Sequence, residues 1–178
     1  MLVRLLLLGA TFALSTGLAL YLTPFIRRGA IAFGVLDHPD GELKTHGEPT
    51  PYLGGVAVYL AFLITLGVVF DFEPKLLGLL LGGTMVAMLG LFDDLRVLPA
   101  RLKLLGQLLA IWVVMKSGVS IQLEALPAAI AIPLTIAWVA GITNAFNIID
   151  VSDGLSSGVA AIAAISGSWI TTARTRCA

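Results

Sequence analysis

Long apolar runs interrupted by short polar patches dominate this chain. The runs cover residues 2–24, 53–70, 75–92, 104–121 and 126–146, and a sixth begins at Ser156 and fades after Ile170. A helix needs about 20 predominantly apolar residues to cross the hydrocarbon of a bilayer, and the first five runs meet or approach that length. A membrane barrel would show alternating segments of about ten residues instead. Lipid also leaves no partner for an unpaired backbone amide, so helices are the default. The pattern predicts an all-α fold: a polytopic transmembrane helical bundle with five full spans plus an incomplete sixth. Residues 156–170 would rise only about 22 Å as a helix, short of a core about 30 Å thick.

Arg4 ahead of the first run suggests a secretory signal. The run outlasts a signal's apolar core and no small-x-small cleavage site follows, so a retained first span is predicted. Hydrophobic residues make up 58% and charged residues 12% of the chain, and the mean hydropathy of +0.97 lies outside the range of soluble domains. Formal net charge is zero, which removes the basic field that nucleic acid would need. Cys177 stands alone, so neither a disulfide framework nor a zinc cluster is available. Neither a linker nor a low-complexity tract divides the chain, and residues 1–178 read as a single membrane domain.

The few charges matter by position. Arg27, Arg28 and Lys44 fall in the first connection, and Arg96, Arg101 and Lys103 in the third, whereas the alternate connections are short or poor in cations. The positive-inside rule puts the cation-rich connections on the cytoplasmic side of an inner (plasma) membrane. Five crossings bring residues 144–157 to the same side, so the active face is expected to be cytoplasmic.

Three polar clusters lie on that face. Asn144, Asn147, Asp150 and Asp153 recur at three-residue steps, which brings neighbouring members together on a helix surface. Such groups beside hydrocarbon are costly unless they serve a ligand, an ion or each other. Turn-forming Asn and Asp offer a simpler account, but a turn does not require four at regular spacing. Asp93 and Asp94 end the third run, and adjacent like charges favour a bound cation or a shared proton. Magnesium fits, because it takes one or two carboxylates with phosphate oxygens and water. Equally, two acids can simply mark a helix end. In the first connection, Lys44 and His46 offer a point charge and an imidazole for phosphate, or a solvated loop. Gly54 and Gly55 then suggest tight helix packing, while Gly154 and Gly158 would let backbone approach a ligand or a neighbouring helix closely.

In this order, Asp37-x-Pro39, Lys44-x-His46, Pro51-x-x-Gly54-Gly55, Asp93-Asp94, Leu98-Pro99, Lys103-x-x-x-Gln107 and Asn144-x-x-Asn147-x-x-Asp150-x-x-Asp153-Gly154-Leu155 resemble the polyprenyl-phosphate N-acetylhexosamine-1-phosphate transferases. The Lys-x-His form is closer to the GlcNAc-1-phosphate branch of that family. The resemblance implies transfer of a sugar 1-phosphate, GlcNAc-1-phosphate foremost, from a UDP-sugar to undecaprenyl phosphate with release of UMP, which begins cell-envelope glycans such as lipopolysaccharide or teichoic acid. It implies magnesium, for which manganese could substitute, and leaves room for a homodimer. By the same resemblance Asp93 and Asp94 hold the metal or deprotonate the acceptor phosphate, and Asn147 adds a neutral oxygen to the ion. Lys44, His46 and Lys103 contact phosphates, and Asn144, Asp150 and Asp153 line the nucleotide pocket. Val151-Ser152 departs from the Gly-hydrophobic pair usual between the two aspartates. The match corresponds to the N-terminal half of such an enzyme, so the 178 residues alone are expected to be inactive. An ion-coupled transporter and a non-catalytic membrane interaction fragment are the competing readings, and carboxylates at span ends rather than midplane favour the enzyme.

Overall fold

A computed structural model describes residues 2–37, 50–51, 53–70, 73–96, 98–121, 127–150 and 154–174. Among these residues six helices form: α1 (Leu2–Ala32), α2 (Gly54–Val69), α3 (Pro74–Leu95), α4 (Ala100–Lys116), α5 (Ala128–Ile149) and α6 (Leu155–Arg174). Each expected apolar run therefore becomes a helix. Leu6–Ala32, α3 and α5 are long and apolar enough to cross a membrane, while Gly54–Val69 and Leu155–Gly167 are shorter apolar helices. The protein is an all-α membrane protein, with one small addition. Strands β1 (Leu36–Asp37) and β2 (Thr50–Pro51) pair antiparallel, Leu36 opposite Pro51 and Asp37 opposite Thr50. This pair brings together the two ends of the segment that carries Lys44 and His46.

Two expected boundaries move. The first helix does not stop at Pro24 but continues to Ala32, carrying Arg27 and Arg28 inside it. Proline removes one amide donor and crowds the preceding turn, which a membrane helix tolerates because leaving the remaining backbone unpaired would cost more. Gly34 ends the helix at φ 68°, with its amide bonded to Ile31 O at 3.2 Å and the Val35 amide to Ala30 O at 2.8 Å. That pair of bonds is a Schellman cap, in which a left-handed glycine satisfies the last carbonyls. The sixth helix also outlasts its apolar stretch. Its 20 residues rise about 30 Å rather than about 22 Å, because helical bonding continues through the polar Thr171–Arg174 turn.

The chain divides into two compact units, Met1–Val119 and Ser120–Ala178. In the first, α1 packs on α2 and α3 on α4. The buried face of α2 is Ala57, Ala61 and Thr65, small residues four apart that let a neighbouring backbone approach. Tyr59 of α2 lies 2.6 Å from the Thr84 hydroxyl of α3. Thr84 already donates to Leu80 O at 2.7 Å, so the Tyr59 hydroxyl is the donor that ties α2 to α3.

Glycines set the α3–α4 seam. A Cβ added to Gly82 would collide with Val114, one on Gly78 with Ser117, and one on Gly106 would lie 2.9 Å from Leu89 Cδ1. Backbone thus fills space that side chains would occupy, and the register follows from it. Gln107, Ala110 and Ile111 are the buried residues of α4. In the second unit, the Thr135 hydroxyl of α5 accepts from the Ile121 amide at 3.1 Å and donates to Ala131 O at 2.7 Å, which satisfies a side chain that is 4% exposed.

Gly82→Val is expected to lower stability by about 1–3 kcal/mol through overpacking of the seam. Gly83→Val, at a neighbouring exposed position with nothing within 4 Å of its Cβ, is the control. Thermal melting of the detergent-purified protein checks this, and equal melting of both variants would contradict the seam.

Candidate active site

Tight packing of α3 on α4 places the last turn of one beside the first turn of the other. The Arg96 amide bonds to Phe92 O at 2.9 Å, ending α3. Pro99 then precedes α4, and its carbonyl accepts the Leu102 amide at 2.9 Å and the Lys103 amide at 3.2 Å. Asp93 closes this turn with both oxygens. Oδ1 accepts the Leu98 amide at 3.1 Å, and Oδ2 lies 2.7 Å from Lys103 Nζ. The two side chains are 25% and 26% exposed, so their pairing is only partly screened. A charge-assisted bond in that setting contributes about 1–2 kcal/mol after screening. Repulsion between the adjacent carboxylates is thereby offset by a lysine ten positions on.

Asp94 projects elsewhere, because successive helical residues point about 100° apart. It is exposed and borders an apolar groove of about 670 Å³ between α1, α2 and α3, together with Ser15, Gly55, Tyr59, Phe62 and Gly90. The groove brings the Gly54-Gly55 and Asp93-Asp94 motifs to one place. It also corrects the expectation for Gly54 and Gly55. Among the described residues nothing lies within 4 Å of a Cβ on either, so neither packs against a neighbouring helix there, and Gly55 forms groove wall.

Among the described residues no three His, Cys, Asp or Glu side chains converge as metal ligands. Magnesium requires fewer protein donors where phosphate oxygens complete its shell. Asp93 and Asp94 are the carboxylates of this turn: Asp93 accepts an ammonium and an amide, one on each oxygen, and Asp94 borders the groove.

On the second unit, Asn144 is half-buried and its Nδ2 donates to Ala140 O at 2.9 Å. Asn147 is exposed, one turn along. Asp150 caps the end of α5, and its Oδ1 accepts the Ser156 hydroxyl at 2.5 Å. A carboxylate again fastens the end of one helix to the start of the next. Gly154 sits between them at φ 74°, which is why a glycine is needed there. Among the described residues nothing lies within 4 Å of a Cβ on Gly154 or Gly158, so neither meets a neighbouring helix in this unit. Lys44, His46 and Asp153 lie outside the described residues. Sequence reasoning missed Ser156 and the Leu98 amide as partners. The hydroxyl directly after Gly154-Leu155 and the short Leu98-Pro99 connection were the available signals.

Membrane-length helices that end in carboxylate and ammonium groups define an integral membrane protein whose polar chemistry sits at its helix ends. The chain belongs to glycosyl transferase family 4, whose model matches residues 76–177. It is 31% identical over 170 residues to a probable undecaprenyl-phosphate N-acetylglucosaminyl 1-phosphate transferase of Bacillus subtilis, covering 89% of this chain and 47% of that protein. It is 32% identical over 124 residues to an undecaprenyl-phosphate alpha-N-acetylglucosaminyl 1-phosphate transferase of Thermotoga maritima, covering 70% and 39%. With a decaprenyl-phosphate N-acetylglucosaminephosphotransferase of Mycolicibacterium smegmatis it shares 31% over 180 residues, covering 89% and 43%. The chain spans about half the length of the curated relatives it matches. No solved structure matches it significantly.

Lys103→Met, which strips Asp93 of its counter-ion, is expected to cost about 1–3 kcal/mol of stability, and Lys103→Arg less than half of that. Thermal melting of the two variants against the parent decides it.

Proposed function

We propose that the protein transfers GlcNAc-1-phosphate from UDP-GlcNAc to a polyprenyl phosphate and releases UMP. The observation that carries this reading is the α3–α4 turn, where a lysine meets one of two adjacent carboxylates at the end of a membrane helix, on a segment inside the family match. A lipid phosphate lies at that depth while its tail stays in hydrocarbon. In the proposed step an oxygen of the acceptor phosphate attacks the β-phosphorus of the nucleotide sugar. The bond from that phosphorus to the bridging oxygen breaks, and UMP leaves with the electron pair. Such chemistry depends mainly on positioning and charge neutralisation.

Lys103 supplies a point charge for the phosphates, and Lys44 and His46 of the first connection are assigned to them by their motif. Magnesium would supply further neutralisation when bound, and Asp93 and Asp94 are the carboxylates of this turn assigned to it. Asn144, Asn147, Asp150 and Asp153 are assigned to the nucleotide by their motif. Arg27, Arg28, Arg96, Arg101 and Lys103 all fall near the α1 C-terminus, the α3 C-terminus or the α4 N-terminus. These ends share one side of the first unit, which supports a cytoplasmic active face in the plasma membrane.

The test uses the protein expressed from its complete gene, in membranes supplied with radiolabelled UDP-GlcNAc, undecaprenyl phosphate and magnesium. Lipid-extractable label matched by UMP is expected. Asp94→Asn should slow transfer by about 10²–10³-fold at unchanged melting temperature. Transfer at the parent rate by Asp94→Asn contradicts the placement of Asp94, and no transfer by the folded parent contradicts the reaction.

A further inference from the structure

The end of the α3–α4 hairpin opposite the Asp93–Lys103 turn also carries cations, and the proposed reaction uses neither of them. Lys75 opens α3 and Lys116 closes α4, both exposed. The Lys75 stem reaches the cap of α4, its Cε 3.5 Å from where a Cβ on Gly118 would stand. The Lys116 ammonium lies 5.7 Å from the centre of the Trp112 ring, one turn back on the same face. Among the described residues neither lysine enters an ion pair. The positive-inside rule leaves this end of a hairpin poor in cations, so two lysines here call for an anion.

The face below Lys116 says which kind. Leu105, Leu109 and Trp112 follow it at helical spacing and are 62%, 54% and 57% exposed. The seam lies on the other side of α4, where Gly106, Ala110 and Val114 meet α3. Helix contacts in membranes favour small residues, as that seam does, whereas the outward positions carry bulky ones that suit acyl chains. The 17 residues of α4 rise about 26 Å against hydrocarbon about 30 Å thick, which holds Lys116 at the depth of the headgroups. Tryptophan settles at that depth, and its indole N–H and the lysine ammonium are both hydrogen-bond donors. Two donors above an apolar track match a phosphate above acyl chains.

We propose that the outward face of α4 is a binding site for an anionic phospholipid, whose phosphate meets Lys116 and Trp112 and whose acyl chains lie along Leu109 and Leu105. Lys75, across the cap, adds a second positive charge at the same headgroup level. The site stands at the opposite end of the hairpin from the Asp93–Lys103 turn and takes no part in phosphoryl transfer, so it holds or fails independently of the proposed reaction.

The test uses the protein expressed from its complete gene, in mixed micelles where either phosphatidylglycerol or phosphatidylcholine bears bromine on its acyl chains. Bromine quenches indole fluorescence at contact, and the difference between the parent and Trp112→Phe isolates the signal of Trp112. Phosphatidylglycerol is expected to quench Trp112 at about fivefold lower mole fraction than phosphatidylcholine, the discrimination that one lysine near an anionic lipid surface gives. Lys116→Gln should remove this preference and leave quenching by phosphatidylcholine unchanged, Lys116→Arg should keep it, and Lys75→Gln should reduce it by less. Equal quenching of the parent by the two lipids overturns the site, as does a preference that survives Lys116→Gln. Absence of quenching by either lipid means that protein covers this face, and it overturns the site as well. Glycerol 3-phosphate in solution separates the two sources of phosphate. It should leave the preference intact, whereas displacement of phosphatidylglycerol at comparable concentration would assign the site to a soluble phosphate and overturn the lipid.

Discussion

The 2.7 Å contact between Asp93 and Lys103 is the constraint on which the rest of the first unit's chemistry depends. It exists because α3 and α4 approach more closely than side chains allow. Gly78 and Gly82 of α3 face Ser117, which caps α4, and Val114 within it, and Gly106 faces Leu89, so the register cannot slide without a collision. Fixed register puts the last turn of α3 beside the first turn of α4. Asp93 then satisfies the Leu98 amide and Lys103 together, and Asp94 is turned away to the groove. Each residue's role follows from where the helices were allowed to meet.

The second unit solves a similar problem with different residues. A helix that ends near the membrane surface leaves carbonyls and amides to be satisfied. Asp150 at the end of α5 accepts the Ser156 hydroxyl of α6, while Gly154 makes the turn in a left-handed conformation. Away from these ends the helices carry few polar side chains, and those are tied inward. Thr65, Thr84, Thr135 and Thr143 each bond a carbonyl four residues back. Carboxylates among the described residues of α3 and at the cap of α5 thus stand at helix termini.

Much of this was legible in the sequence because lipid imposes a simple rule on composition. Apolar runs predicted each helix, and the order of the polar motifs pointed to the family that residues 76–177 match. What could not be read was decided by contacts between distant residues. Hydropathy ended the first helix at Pro24 and the sixth at Ile170, whereas backbone bonding carried them to Ala32 and Arg174. Gly54 and Gly55 looked like packing glycines, yet the seam uses Gly78, Gly82 and Gly106, whose place only the facing helix reveals. Nothing local to Asp93 and Asp94 announces that Lys103 returns to Asp93 across the turn.

Isotope exchange tests the central claim most directly, since it interrogates the bond proposed to break. Labelled UMP is incubated with unlabelled UDP-GlcNAc, magnesium, polyprenyl phosphate and the protein expressed from its complete gene. Reversible attack at the β-phosphorus predicts that label enters UDP-GlcNAc only when the polyprenyl phosphate is present. No exchange by the folded protein, or exchange that proceeds without the lipid, would contradict it.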